Sequence, residues 1–413
     1  MKHLTKRGGG LLAAGTLGLA AGLALGSWSA SALGIALLLA LAVAWIEGEA
    51  PSIQVVREPT SAILTEGGRT RVVLHVQTPR RRRALIEEEV PPGLHIVQGL
   101  PRADATIPTK LEYEVEARTP GRWRLGPLRV RVTDPLKLVE ETWTISANER
   151  ISVYPRLDAL RDVPLRSRLS LPLAGSYSTG QAGLGSDFYA LRAYQQGDTM
   201  RTVNWRASAR TGKGLVVNQR EKESQATVTF FVDARAIGRV GTPTQNAWVE
   251  SIRAFAALAA HAARRRDRPR LVLYGERVHG PTSARSGDAA LTSLLDPLLD
   301  LPPTGSIGLA AAVEQVAPLL RPKAPVVIIS ALLEDESVPF AITSLRSLEQ
   351  NVTVIAIDPS QHLAASGSPA SGIERTLAER TLRIEALRAR GGHVIPWDPS
   401  EPLAIALARE ARP

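Results

Sequence analysis

Residues 183–223 hold the densest run of side chains able to do chemistry. Asp187, Arg192, Asp198, Arg201, Arg206, Arg210 and Glu221 alternate there with Phe188, Tyr189, Tyr194 and Trp205. Such a mixture is costly to bury unless its charges pair, so it reads as an ionic seam between domains or as a binding surface. Three uses can be drawn from it. The carboxylates of Asp187, Asp198 and Glu221 could do acid–base work or hold a metal for an enzyme acting on a phosphate-bearing or envelope-linked substrate. No nucleophile–base pair is identifiable, because the stretch has no His or Cys and neither Ser186 nor Ser208 has an evident activating base. The guanidinium groups of Arg192, Arg201, Arg206 and Arg210 could receive an acidic partner segment or a phosphate, although Walker A and GxGxxG patterns are absent. The third use is structural. Asp198 after Gly197 predicts an N-cap for a helix over 199–209, with Arg201, Trp205 and Ser208 on one face and Asn204 beside Arg201. Trp205 is expected to bury its ring with its indole N–H bonded. Arg192 and Arg210 are expected to fork onto Asp187, Asp198 or Glu221. A seam that also receives a partner is the favoured reading, and no residue is assigned a catalytic role.

The elements that must position this stretch are legible from charge and periodicity. Lys2, Lys6 and Arg7 lie in a basic segment, 1–10, and no charged residue occurs from Leu11 to Ile46. That run exceeds the roughly 20 residues one spanning helix needs, so residues 11–46 predict two transmembrane helices divided at Ser27–Ser31. The basic residues would keep the N-terminus cytoplasmic, and the hairpin would return everything after residue 47 to that side. A signal peptide ending at Ala30-Ser31-Ala32 is a rival, but its product would begin inside a second apolar run. Gly18, Gly22 and Gly26 form a stripe suited to close helix packing. From 53 to 155 the period changes to two, with turn signals between the runs, which predicts an antiparallel β-sandwich of six to eight strands, immunoglobulin-like in type. The Arg80–Arg83 run reads as a solvated hairpin tip, or as a contact with anionic headgroups. From 226 to 411 apolar strands alternate with amphipathic helices, as in a doubly wound α/β domain. The fold class is therefore multidomain: hairpin, sandwich, the segment 183–223, then α/β.

Asp233 ends the first strand of the α/β segment, where a von Willebrand factor A-like domain begins its Asp-x-Ser-x-Ser metal motif. Here the sequence reads Asp233-Ala-Arg235-Ala-Ile237. Both serines are missing, and Thr304 or Ser306, with Ser330, are the remaining oxygen donors. A divalent cation needs several oxygen ligands, so Asp233 and Ser306 are the residues a cation would use, no other cofactor is indicated, and pairing of Asp233 with a nearby Arg is the simpler expectation. The net charge is +10 with no cysteine and seven scattered His. Disulfides and thiol catalysis are excluded, and no base-reading nucleic-acid motif accompanies the positive charge.

The pattern RxYxxGDxxRxxNWxxSAR runs from Arg192 through Tyr194, Gly197, Asp198, Arg201, Asn204, Trp205 and Ser208 to Arg210, preceded by Gly185-Ser-Asp187-Phe188 and by GRWRLGPLRVRVTDPL from Gly121. It resembles the bacterial domain-of-unknown-function 58 proteins, and the order hairpin, sandwich, signature, von Willebrand A-like domain is similar to theirs. The resemblance implies membrane anchoring and partnership with a MoxR-type AAA+ ATPase, often alongside a transglutaminase-like membrane protein. The expectation is thus a membrane-anchored cytoplasmic adaptor in assembly or remodelling. An enzyme and a purely structural envelope protein are the alternatives.

Overall fold

The computed structural model describes residues 2–47, 53–59, 61–79, 81–146, 149–157, 160, 182–196, 198–211, 214–221, 227–265, 267–283 and 288–410. It divides into two compact units, Met1–Arg156 and Leu157–Pro413.

The first unit opens with two helices, Lys6–Leu25 and Trp28–Glu47, both long and apolar enough to cross a membrane. They begin and end closer to each other than the sequence reading placed them. The turn is only Gly26-Ser27, and Ser29–Ser31 is already helical. The reason is Gly26, whose left-handed backbone (φ 65°) closes the first helix where a side chain would be strained. Gly26 is therefore outside the packing stripe. The helices meet instead through Gly15, Gly18 and Gly22, which face Leu38, Gly34 and Ser31.

Beyond the hairpin lies a β-unit with more strands than the periodicity predicts. A five-stranded sheet contains Lys2–Leu4, Val139–Ile145, Leu128–Thr133, Arg82–Glu88 and Arg102–Ile107, in that spatial order. A four-stranded sheet contains Gln54–Glu58, Arg69–Gln77, Thr109–Ala117 and Leu94–Gly99, and a three-stranded one Ser61–Thr65, Arg150–Tyr154 and Gly121–Arg124. All three share one core, with Val72, Leu74 and Tyr113 from the second sheet against Ile86 and Val130 from the first and Ile151 and Val153 from the third. The unit is not wholly antiparallel, since Arg150–Tyr154 runs parallel to Ser61–Thr65. Lys2–Leu4, read from sequence only as a basic leader, adds an edge strand to the first sheet.

The second unit is built on a six-stranded sheet in the order Val278–Ser283, Arg268–Tyr274, Thr227–Asp233, Pro325–Ser330, Asn351–Ile357 and His393–Trp397. In chain order this is 3-2-1-4-5-6, the doubly wound arrangement whose crevice opens where the order reverses, between strands one and four. All neighbours are parallel except the edge strand Val278–Ser283. That strand escapes periodicity because Gly280-Pro281 interrupts it, and an edge position tolerates proline. The central strands are buried along their whole length, as sheets covered on both faces require. One face packs on Leu309–Val316, Val338–Ser347 and Ala370–Ala389 through Leu309, Val313, Ile342 and Leu387. Phe230 meets Phe255 of the helix Ala247–Arg264 edge to face, centroids 5.3 Å apart.

Candidate functional site

The segment read as the chemical centre is a two-stranded ribbon, Ala182–Ala193 paired with Val216–Glu221, closed by the short helix Trp205–Thr211. Arg192 makes the predicted fork onto Asp198, with Nη1 to Oδ2 at 2.8 Å and Nη2 to Oδ1 at 2.6 Å. The same carboxylate accepts from the Gln195 amide at 2.9 Å. The Arg192 hydrogen bond first, and the Gln195 amide second, hold the Asp198 carboxyl below the usual carboxylate range. It serves as a counter-ion and turn anchor, poorly suited to delivering a proton at neutral pH.

Asp198 is not the helix cap. Its carboxylate is turned back onto Arg192 and Gln195, a 3-10 turn of Met200–Thr202 follows, and the helix begins only at Trp205. The capping role falls to Asn204, whose Oδ1 accepts from the Ala207 amide at 3.0 Å while its Nδ2 donates to Asn218 Oδ1 at 2.8 Å. Ser208 completes the clasp, donating to Asn204 O at 2.8 Å and accepting from the Val216 amide at 2.8 Å. Asn204→Ala is therefore expected to cost about 1 kcal/mol, read as faster amide exchange at Ala207 and Val216 with the six-stranded sheet unchanged.

Trp205 does not bury its ring. It is 59% exposed, with Met200 59% and Tyr194 36% exposed near it in sequence, and Arg201, Arg206 and Arg210 are exposed as well. The short helix stands on Ser208 and Asn204 and leaves its Trp-bearing side to solvent. Gly197 and the side chains of Asp187, Phe188 and Glu221 lie outside the described residues, so the three-carboxylate cluster is represented there by Asp198 alone.

The second candidate site is the crevice at the carboxyl ends of the central strands. Asp233 and Ser330 end strands one and four, and Ser330 Oγ donates to Asp233 Oδ2 at 2.7 Å. The position is filled by Arg235, which is 3% exposed. Its Nε and Nη2 reach Asp233 Oδ1 and Oδ2 at 3.0 and 2.7 Å. Its remaining donors go to Leu333 O at 2.9 Å and Glu334 O at 3.0 Å, and Asp335 Oδ2 lies 3.8 Å from Nη2. Burial alone would lower the Arg235 pKa, but the hydrogen bond and charge of Asp233 outweigh it and raise it above its ordinary value. Asp335 is itself engaged, accepting from the Leu309 amide at 3.0 Å and from Ser337 Oγ at 2.6 Å.

These residues do not fit a divalent cation as they stand. Both carboxylate oxygens of Asp233 are committed to the guanidinium, which sits among the oxygens a metal would need. Ser306 is exposed, and Thr304 hydrogen-bonds Glu276 Oε2 at 3.0 Å. Among the described residues no group of three or more His, Cys, Asp or Glu could hold a metal ion. Sequence reading anticipated an Arg partner for Asp233, but not the two backbone carbonyls that complete the cage or the second plug nearby. Arg380, 8% exposed, donates to Ala331 O, Ala356 O and Ile357 O at 3.0 Å each. Tyr274, fully buried, brings its phenol to this crevice. Ser330 is its neighbour but is already engaged with Asp233 and the Leu332 amide, so the Tyr274 hydroxyl makes no well-formed hydrogen bond. Burial first, and Asp233 second, push it well above its ordinary pKa. What stays open is a cavity of about 220 Å³ beside Ala234, Glu276, Arg277, His279 and Thr304, below the ~300–1,000 Å³ of usual ligand pockets.

The model of the family "Protein of unknown function DUF58" matches residues 190–366, from within the ribbon through the first five strands of the α/β sheet. The match supports assignment to that family and takes in most of the signature and most of the sheet. No curated protein matches the chain. Among solved structures, the BIgI domain of beta protein from S. agalactiae bound to CEACAM1 is 12% identical, with 25% of this chain and 99% of that chain covered and a TM-score of 0.16. A chimeric titin Z1Z2 functionalized with a KLER exogenous peptide from decorin is 13% identical, with the same coverages and a TM-score of 0.14. At such scores neither likeness bears on the fold.

Proposed function

We propose that the protein is a membrane-anchored cytoplasmic adaptor whose signature segment receives a partner protein, and that the partner is a MoxR-type AAA+ ATPase, as the family resemblance implies. The observation that carries this reading is the exposed face of the segment. Trp205, Tyr194 and Met200 stand in solvent among Arg201, Arg206 and Arg210, and Trp, Tyr, Met and Arg are the residues enriched at protein interfaces and their energetic centres. The enzyme reading, through Asp187, Asp198 and Glu221, is disfavoured by the ion pair that occupies Asp198. The 3-2-1-4-5-6 sheet with one antiparallel edge strand supports a von Willebrand A-like α/β unit, one whose partner contacts would need no metal ion.

The test is co-elution of the full chain, hairpin included, with a MoxR-type AAA+ ATPase from the same genome. Trp205→Ala is expected to weaken binding by about 2 kcal/mol, roughly thirtyfold, with the melting temperature of the free protein unchanged. Failure of the wild-type chain to co-elute with the ATPase or alter its turnover removes the adaptor reading.

A further inference from the structure

The first unit fixes one turn of its β-sheet at the mouth of the apolar hairpin. Thr5 caps the first helix, its hydroxyl accepting from the Gly8 amide at 3.1 Å. The same residue grips the turn that precedes Val139–Ile145. Thr5 N donates to Leu138 O at 2.9 Å, and Thr5 Oγ1 donates to Lys137 O at 2.6 Å. Gly8 lies so close to the Leu138 carbonyl that a Cβ would collide with it. Leu4 pairs with Val139 immediately beyond. On the second helix, the Lys2 ammonium donates to Trp45 O and lies 4.9 Å from the Trp45 ring centroid. The turn therefore sits level with the start of one apolar helix and near the end of the other.

The turn is built to hold an apolar side chain outward. Asp134, 5% exposed, accepts from the amides of Leu136 at 2.9 Å, Leu138 at 2.6 Å and Val139 at 2.7 Å. Lys137 takes a left-handed backbone (φ 56°), and Leu138 is buried against Leu41 and Ala44. Between these anchors Leu136 is 62% exposed. Lys137 beside it in the chain, and Lys6 and Arg7 directly after the Thr5 that grips the turn, are exposed. Strand register puts Arg82 and Arg83 at this same end of the five-stranded sheet, opposite Ile107 and Thr106, whereas Leu100 precedes the strand Arg102–Ile107 at the other end.

We infer that the Pro135–Lys137 turn is a lipid-contacting wedge. Leu136 enters the interfacial layer of the bilayer at the hairpin's mouth, and Lys6, Arg7 and Lys137 meet anionic headgroups there. The inference rests on the reading of the two helices as membrane-spanning. An apolar residue flanked by basic ones, held rigidly at the helix–water boundary, is the chemistry of an interfacial anchor. The consequence is a β-unit seated on the membrane by three attachments, two helices and one turn.

The chain has no cysteine, so single labels are straightforward. Leu136→Cys, Leu100→Cys and Leu23→Cys in the full chain would each carry an environment-sensitive nitrobenzoxadiazole dye, in vesicles with or without phosphatidylglycerol and with spin-labelled lipid as quencher. Quenching is expected at positions 23 and 136, with water-like emission at position 100. Adding Lys137→Gln to the position-136 label is expected to lower its inserted-to-free ratio about fivefold in anionic vesicles and little in neutral ones. Quenching at 23 with water-like emission at 136 overturns the wedge and leaves the membrane hairpin standing. Water-like emission at both overturns the hairpin reading itself. Equal Lys137→Gln effects in the two vesicle types overturn the headgroup contact.

Discussion

Arg235→Ala is expected to destabilise the α/β unit by about 3–5 kcal/mol, because removing one partner of a buried ion pair leaves the other uncompensated. In a unit of this size that corresponds to a fall in melting temperature of about 10 °C. The figure follows from what the guanidinium touches: both oxygens of Asp233 and the carbonyls of Leu333 and Glu334. A sharper result comes from Arg235→Ser, which restores a hydroxyl and empties an oxygen-lined hole. Asp233, Ser330, the two carbonyls and Asp335 then form a donor set of the kind hard cations take. Calcium at millimolar concentration is expected to raise the melting temperature of this variant by several degrees and to leave the wild-type protein unmoved. Terbium emission sensitised by buried Tyr274 offers an independent readout. A wild-type protein that responds to calcium as strongly as the variant would show that Arg235 does not close the site. An Arg235→Ser protein that calcium neither stabilises nor recovers in soluble form would show that the cage is not a cation hole.

The second large effect belongs to the β-unit. Arg57, 4% exposed, is placed between Glu88 and Glu149. Glu88, with its side chain fully buried, lies 2.5 Å from Arg57 and accepts from Tyr113 Oη at 2.5 Å. Burial pushes the Glu88 carboxyl up, against the pull of Tyr113 and Arg57. Arg57→Ala is expected to cost about 3–5 kcal/mol. The deficit should shrink as the pH is lowered. A buried carboxyl raised above its unfolded value binds its proton more tightly in the native state, so stability is gained as pH falls and lost as it rises. The double variant Arg57→Met, Glu88→Leu should recover much of the loss, since the unpaired charge is gone and the volume is refilled. Urea titrations of the single and double variants at neutral and acid pH decide it. A double variant no more stable than Arg57→Ala would mean that packing, not charge, sets the cost.

Strong periodic signals survived folding well. The uncharged run from Leu11 to Ile46 is two helices, the alternating runs around Val72, Tyr113 and Val130 are strands with those residues inward, and the apolar runs ending at Asp233, Ser330 and Ile357 are the buried central strands. Each is a local pattern whose burial partner is any apolar surface, so no particular contact had to be known. The interrupted edge strand Val278–Ser283 and the added strand Lys2–Leu4 were hidden for the opposite reason. Each is short, and each is held by backbone bonds to a partner whose identity its own side chains do not announce.

The same division runs through the candidate sites. Residue types alone excluded thiol chemistry, offered Asp187, Asp198 and Glu221 as partners for Arg192 and Arg210, and paired Asp233 with a nearby Arg. Only the tertiary structure decided which way the competing groups turned. Asp198 gave up the helix cap because the guanidinium of Arg192, on the strand just before it, bids more strongly for a carboxylate than backbone amides do, and Asn204 took the role. Trp205 faces solvent because the helix beneath it is short and anchored by small polar side chains. Arg235 turns inward because Leu333 and Glu334, about a hundred residues away in the chain, present carbonyls that no local pattern could place. For Arg235 the direction is set by partners far away in the chain, whereas for Asp198 and Trp205 it is set within the ribbon and its short helix.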